Sequence, residues 1–146
     1  SEIIFLHSSV LKSDTGLYLD ALGGLPGPYN HYFDKQIGVE KFLELLKNEE
    51  NRRARLEHCF AYCEPGCEPV IFTGGGTGTI SYEPKGTAGR WHDLFYIPDG
   101  EEKTLAELVN TTNKVFDHQC RLKRLSWWLN LHQFQETLFP LTLLTP

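Results

Sequence analysis

No apolar run in this chain approaches the roughly 20 residues that a helix needs to cross a bilayer, which argues against a helical membrane span. The opening residues, Ser1-Glu2-Ile3-Ile4-Phe5-Leu6, lack the basic start and small-residue cleavage site of a secretory signal. A cytoplasmic protein is therefore expected. Cysteine is scarce: Cys59, Cys63, Cys67 and Cys120 are too few for a disulfide scaffold across 146 residues. Positive charge is not in excess, and a net charge of −5 gives no electrostatic reason to expect nucleic-acid binding. A phosphate-cradling P-loop is also missing. The glycine run Thr73-Gly74-Gly75-Gly76-Thr77-Gly78 lacks the Gly-Lys-Ser/Thr ending. It leads into a strand rather than a helix, so no helix dipole awaits an anion there. A hairpin loop between two strands, Val70-Ile71-Phe72 and Thr79-Ile80-Ser81-Tyr82, is predicted instead.

What remains is the composition of a globular protein, 40% hydrophobic and 23% charged. The length suits a single domain over residues 1–146 with a sizeable core. Ile3 to Leu11 reads as one strand, or two short ones around His7-Ser8-Ser9, ending at Val10-Leu11. Val39, Phe42, Leu43 and Leu46 recur at i, i+3, i+4, i+7 with charged residues between them, which predicts an amphipathic helix. From Leu56 to Tyr62 apolar residues occupy both faces, as in a central strand, and Glu64-Pro65-Gly66-Cys67-Glu68 forms a turn. Thr104-Leu105-Ala106-Glu107 has the spacing of a capping box opening a helix. Leu122, Leu125 and Leu129 make a helical stripe. The run Leu138 to Leu144 is too apolar for a free tail and needs a surface to pack on.

Three stretches carry candidate chemistry. Asp14 to Phe33 places an acid two residues before Gly16, and then breaks repeatedly at Gly23-Gly24 and Pro26-Gly27-Pro28. A carboxylate beside glycine-rich backbone suits a hard divalent cation and a phosphorylated ligand; the plainer alternative is a strand–turn–strand with Asp14 as a turn acid. His58, Cys59, Cys63 and Cys67 could stack on a helix as a zinc site, but Pro65, Gly66 and Pro69 interrupt it, and free strand or turn thiols are the simpler alternative. Pro84 to Gly100 combines small residues, aromatics and Asp93, fit either for a ligand or for a long surface loop.

Asp14-Thr15-Gly16-Leu17, followed by Asp20-Ala21-Leu22-Gly23-Gly24-Leu25-Pro26-Gly27-Pro28-Tyr29, resembles the signature of the inosine triphosphate pyrophosphatase family. The order of later segments agrees as far as about His118. The resemblance implies an α/β fold with a mixed, elongated, twisted sheet flanked by helices and a nucleotide cleft between two lobes. It also implies a homodimer, and magnesium-dependent hydrolysis of ITP, dITP and XTP to monophosphate and pyrophosphate. By the same resemblance Asp14 is the catalytic and Mg2+-binding acid, while Gly89, Arg90, Asp93, Lys114 and His118 contact the purine nucleoside triphosphate.

The chain departs from the family pattern at several of these places. Arg90 stands where a stacking Phe belongs, Trp91 where Gly belongs, His92 where Tyr or Trp belongs, and Leu94 where Pro belongs. A guanidinium can stack on a purine, but Trp91 adds bulk where backbone should approach the base. Asp117 and Gln119 flank His118 in place of Ser and Arg, and Lys114 is one place off the expected lysine. Ser13 replaces the Glu before Asp14, and His31 stands where many relatives have Lys. The family's earlier Thr-x-Asn-x-x-Lys motif does not occur before Asp14, so a shortened domain lacking the family's first strand and helix is expected. Three functions follow: a divergent pyrophosphatase, a catalytically silent nucleotide-binding or dimerisation relative, and, least supported, a zinc-binding adaptor.

Overall fold

Alternation along two eleven-residue strands sets the architecture of the computed structural model, which describes residues 9–108. In β3, Arg53–Cys63, the side chains of Ala54, Leu56, His58 and Phe60 are buried while Arg53 and Arg55 are exposed. β1, Val10–Leu19, pairs antiparallel with it over ten residue pairs, from Val10 opposite Cys63 to Leu19 opposite Ala54. β4, Val70–Ile80, pairs antiparallel on the other side, from Arg53 opposite Thr79 to Tyr62 opposite Val70. Two short strands, β2 at Pro26–Gly27 and β5 at Tyr96–Pro98, complete a five-stranded sheet of order β2-β1-β3-β4-β5. The α/β class holds, and every strand pairing among the described residues is antiparallel.

One face of this sheet carries the core. Leu17, Leu19, Ala54, Leu56 and Ile80 meet Phe42 and Leu43 of a helix, α2 at Gly38–Leu45, and Leu46 just beyond it. The predicted amphipathic stripe is therefore present, with Val39 packed at its margin. A preceding helix, α1 at Asn30–Gln36, has no apolar period to announce it and buries only Asn30 fully. A four-residue helix, α3 at Leu105–Leu108, starts at the foreseen cap: Thr104 N–H donates to Glu107 Oε2 at 2.9 Å, and Glu107 N–H donates to Thr104 O at 3.0 Å. The helical stripe after Cys120, the apolar run from Leu138, and the site candidates Lys114 and His118 lie outside the described residues.

Two expectations about the sheet are corrected. β1 does not end at Val10-Leu11 but continues through the signature to Leu19, so Asp14 is mid-strand rather than in a turn. The glycine run is likewise not a hairpin loop; residues 73–78 lie inside β4. The physical reason is Tyr96 of β5. Its hydroxyl donates to Gly76 O at 2.8 Å, and burial pushes the phenol up to about 12, so it remains a donor. A Cβ on Gly78 would come within 2.7 Å of Tyr96 Cζ. The ring and the Ile97 carbonyl occupy the space that a side chain at 78 would fill, and the β3 backbone at Leu56 does the same at Gly75.

The zinc arrangement also fails. Cys59 and Cys63 lie on an extended strand, where four residues separate Cα atoms by about 13 Å, and neighbours His58 and Cys59 point to opposite faces. Cys63 instead sets its thiol against the carbonyls of Glu64 and Cys67 at 3.5 and 3.3 Å.

Arg52 ties the helical layer to the sheet. Its guanidinium donates to Leu46 O at 2.6 Å, Ile80 O at 2.8 Å and Ser81 O at 2.7 Å, joining the end of α2 to the end of β4. Burial lowers its pKa, yet a guanidinium stays charged. Arg52→Met should strand these carbonyls and cost about 2–4 kcal/mol. Urea denaturation measures this, and a loss below about 0.5 kcal/mol, the size of an ordinary surface change, would contradict it.

Candidate active site

β2 pairs with β1 only at Leu17 and Tyr18. Among the described residues that side of β1 has no strand neighbour at Asp14 and Thr15, and the start of α1 and the loop around Arg90 close in upon it. The result is a cavity of about 440 Å³ lined by Asp14, Thr15, Asn30, Asp34, Gly89 and Arg90, among others. Asp14 is exposed at this cavity and accepts the Thr15 N–H on Oδ1 at 2.8 Å. Four of the six sequence-derived candidates, Asp14, Gly89, Arg90 and Asp93, are thus found at or beside one cavity.

The loop is built around Asp93, in a short 3-10 turn at Trp91–Leu94. Asp93 Oδ2 accepts the Arg90 N–H at 2.6 Å, and Asp93 N–H donates back to Arg90 O at 2.9 Å. Gly89 sits at φ +88°, and a Cβ there would come within 3.0 Å of Asp93 Cβ. Gly89 and Asp93 are in this sense one device, with the missing side chain making room for the carboxylate that fastens the turn. Trp91 does not crowd the ligand approach as its bulk suggested. Its ring turns into the core, 5.0 Å from both Phe42 and Phe95 in edge-to-face contacts, leaving only 7% of the residue exposed.

Residues to which the sequence assigned no part in this site, or a different one, complete it. Thr15 Oγ1 lies 2.7 Å from His58 Nδ1 and accepts Arg90 Nη1–H at 2.9 Å. Asn30 Nδ2 donates to Thr15 O at 3.3 Å and lies 3.4 Å from His92 Nδ1. His92 Nε2 in turn is 3.4 Å from Asp93 Oδ1. Because an amide nitrogen can only donate, His92 Nδ1 accepts and Nε2 carries the proton towards Asp93. Polar residues thus link β1, α1, β3 and the loop through the site. One sequence signal was available: His58 falls on the same strand phase as the apolar Leu56 and Phe60.

A family model described as the Ham1 family matches residues 2–124. The chain belongs to the Ham1 family. It is 44% identical to the dITP/XTP pyrophosphatase of Methanopyrus kandleri over 84% of this chain and 66% of that protein. It is 40% identical to the dITP/XTP pyrophosphatase of Hyperthermus butylicus over 85% of this chain and 65% of the relative. The chain therefore spans a little under two thirds of the length of these curated relatives. Among solved structures it resembles the Staphylococcus aureus Ham1 protein, with a TM-score of 0.72 and 26% identity, covering 87% of this chain and 69% of that one. A Ham1 protein from Coxiella burnetii gives 0.73 and 26%, covering 84% and 68%. The Ham1 fold and the resemblance of the signature thus agree.

Magnesium is held by one or two carboxylates together with substrate phosphates and water. The Ham1 cavity here offers Asp14 and Asp34 on one lining, a hard oxygen set that fits such a shared site. No cluster of three or more His, Cys, Asp or Glu side chains able to hold a metal unaided occurs among the described residues.

Burial holds His92 below its ordinary value of 6.5, with Asp93 opposing the shift and Arg90 adding to it. The folded state then binds fewer protons than the unfolded chain just below that value, so stability falls as pH drops through it. Denaturation midpoints of wild type and His92→Gln, compared between about pH 7.5 and about pH 5, should show a flatter acid slope in the variant. Parallel slopes would contradict the buried, neutral imidazole.

Proposed function

We propose that this chain hydrolyses non-standard purine nucleoside triphosphates, ITP, dITP and XTP, to the monophosphate and pyrophosphate with the help of Mg2+. The observation that carries the reading is the convergence of Asp14, from the signature, and Arg90, from the loop, on one open polar cavity. The similarity to proteins named dITP/XTP pyrophosphatase supports it.

In this reading a water molecule attacks the α-phosphorus, the bond to the α,β-bridging oxygen breaks, and pyrophosphate leaves. Bound magnesium neutralises phosphate charge and polarises the reacting phosphoryl group. Asp14, whose Oδ1 accepts the Thr15 amide, would hold that cation through its carboxylate or take the proton of the attacking water. The Arg90 guanidinium offers further N–H donors to phosphate or to the purine face. Asp93 and Gly89 hold Arg90 in place, and Lys114 and His118 add contacts to phosphates and base. The catalytic unit is a homodimer at micromolar concentration, and light scattering that found only monomer would count against that part.

A weaker, ligand-binding relative is the second reading, and Gln119, where the family pattern has Arg, favours it. Pyrophosphate release from ITP, XTP and GTP, with and without magnesium, is the direct test of both. Asp14→Asn preserves size and removes charge. It should abolish magnesium-dependent hydrolysis, or magnesium-dependent nucleotide binding in the second reading, while shifting stability by no more than ~1 kcal/mol. Unchanged magnesium-dependent turnover in that variant would remove Asp14 from the site.

A further inference from the structure

We propose that His58 is a positioning residue that fixes the Arg90 guanidinium at the cavity that Asp14 also lines, through the hydroxyl of Thr15. This rests on reading the cavity as the site of a nucleoside triphosphate, whose phosphates Arg90 would meet. The polarity of the hydrogen bonds carries the inference. A guanidinium only donates, so Thr15 Oγ1 accepts from Arg90 Nη1 at 2.9 Å. The threonine is buried, and its hydroxyl oxygen has a second neighbour, His58 Nδ1, at 2.7 Å. The hydroxyl hydrogen can satisfy itself there only if Nδ1 is unprotonated. The chain therefore runs Arg90 to Thr15 to His58, with His58 carrying its ring proton on Nε2.

Without that acceptor the threonine hydroxyl is free to rotate, and its lone pairs no longer face the cavity in a fixed direction. Arg90 is otherwise an exposed, flexible side chain. It is fastened at its backbone by Asp93 and at its guanidinium by Thr15. Thr15 uses one of five N–H donors, and the fork is held next to the strand residue that bears the Asp14 carboxylate. Holding a long cation in its binding rotamer before the ligand arrives removes part of the ordering cost of binding. His58 sits directly across β1 from Thr15 in the sheet register, so the support is built into the strand pairing rather than into a loop.

Two measurements on the full chain test this. Imidazole ¹⁵N shifts of the ligand-free protein near neutral pH should show His58 as the Nε2–H tautomer; an Nδ1–H tautomer would overturn the relay whatever the protein's activity. The second is a double-mutant cycle on the KM for ITP with magnesium. His58→Leu should raise KM several-fold with a smaller change in kcat. His58→Asn, whose Oδ1 can stand in for Nδ1, should restore most of it and covers the case where the Leu variant folds poorly. In an Arg90→Ala background the His58 substitutions should change KM no further. Additive effects would overturn the positioning role and leave His58 as core packing. Absence of any ITP or XTP hydrolysis in the wild type would refute the nucleotide reading, and the tautomer would then decide the relay alone.

Discussion

The pairing of β1 with β3 is the constraint on which the rest of the site depends. Ten successive residue pairs fix which side chains of the signature face the helices and which face outward. A slip of one residue would exchange the two sets completely. With the register as it is, Leu17 and Leu19 enter the core opposite Leu56 and Ala54, and Thr15 is buried against His58. Asp14, one step out of phase, is left in contact with solvent. The signature thus serves folding and chemistry by the alternation of a single strand.

The loop that faces Asp14 shows how sequence divergence can leave a site's frame standing. Arg90, Trp91 and His92 all differ from the expected pattern, yet each finds a physical use. Trp91 fills the core between Phe42 and Phe95. His92 links Asn30 to Asp93 from a buried position. Arg90 spans the cavity edge to Thr15. The unchanged residues Gly89 and Asp93 keep the turn itself, and the changed ones alter what the turn presents.

Which parts could be read from the sequence follows from where periodicity survives. α2 was legible because a surface helix over a sheet must carry an apolar stripe, and Phe42, Leu43 and Leu46 supply it. β3 was legible because both its faces carry apolar residues near its middle. α1 was not, since Asn-His-Tyr-Phe-Asp-Lys-Gln spans two turns without a stripe and is held at its start by polar contacts from Asn30. β4 was misread because glycine gives no phase at all, and the residue that completes its surface, Tyr96, is distant in sequence. Asp14, Gly89, Arg90 and Asp93 could be named from the family pattern. The hydrogen-bonded roles of Thr15, Asn30, His58 and His92 could not, because a polar residue on an apolar face declares its partner only once strands are paired.

The fit of Tyr96 over Gly76 and Gly78 has an evolutionary consequence. A side chain at position 78 would meet both the Tyr96 ring and the Ile97 carbonyl oxygen, so that position cannot be filled without strain, and losing the ring would leave a void. A larger residue at position 78 is opposed by the Ile97 backbone whatever stands at position 96, and a smaller residue at 96 leaves bare backbone on β4 exposed to water. Glycine at position 78 should therefore persist among relatives of this chain even where position 96 changes. Glycine at 75 and 78 would thus be kept by the backbone of the flanking strands, independently of any ligand the protein binds.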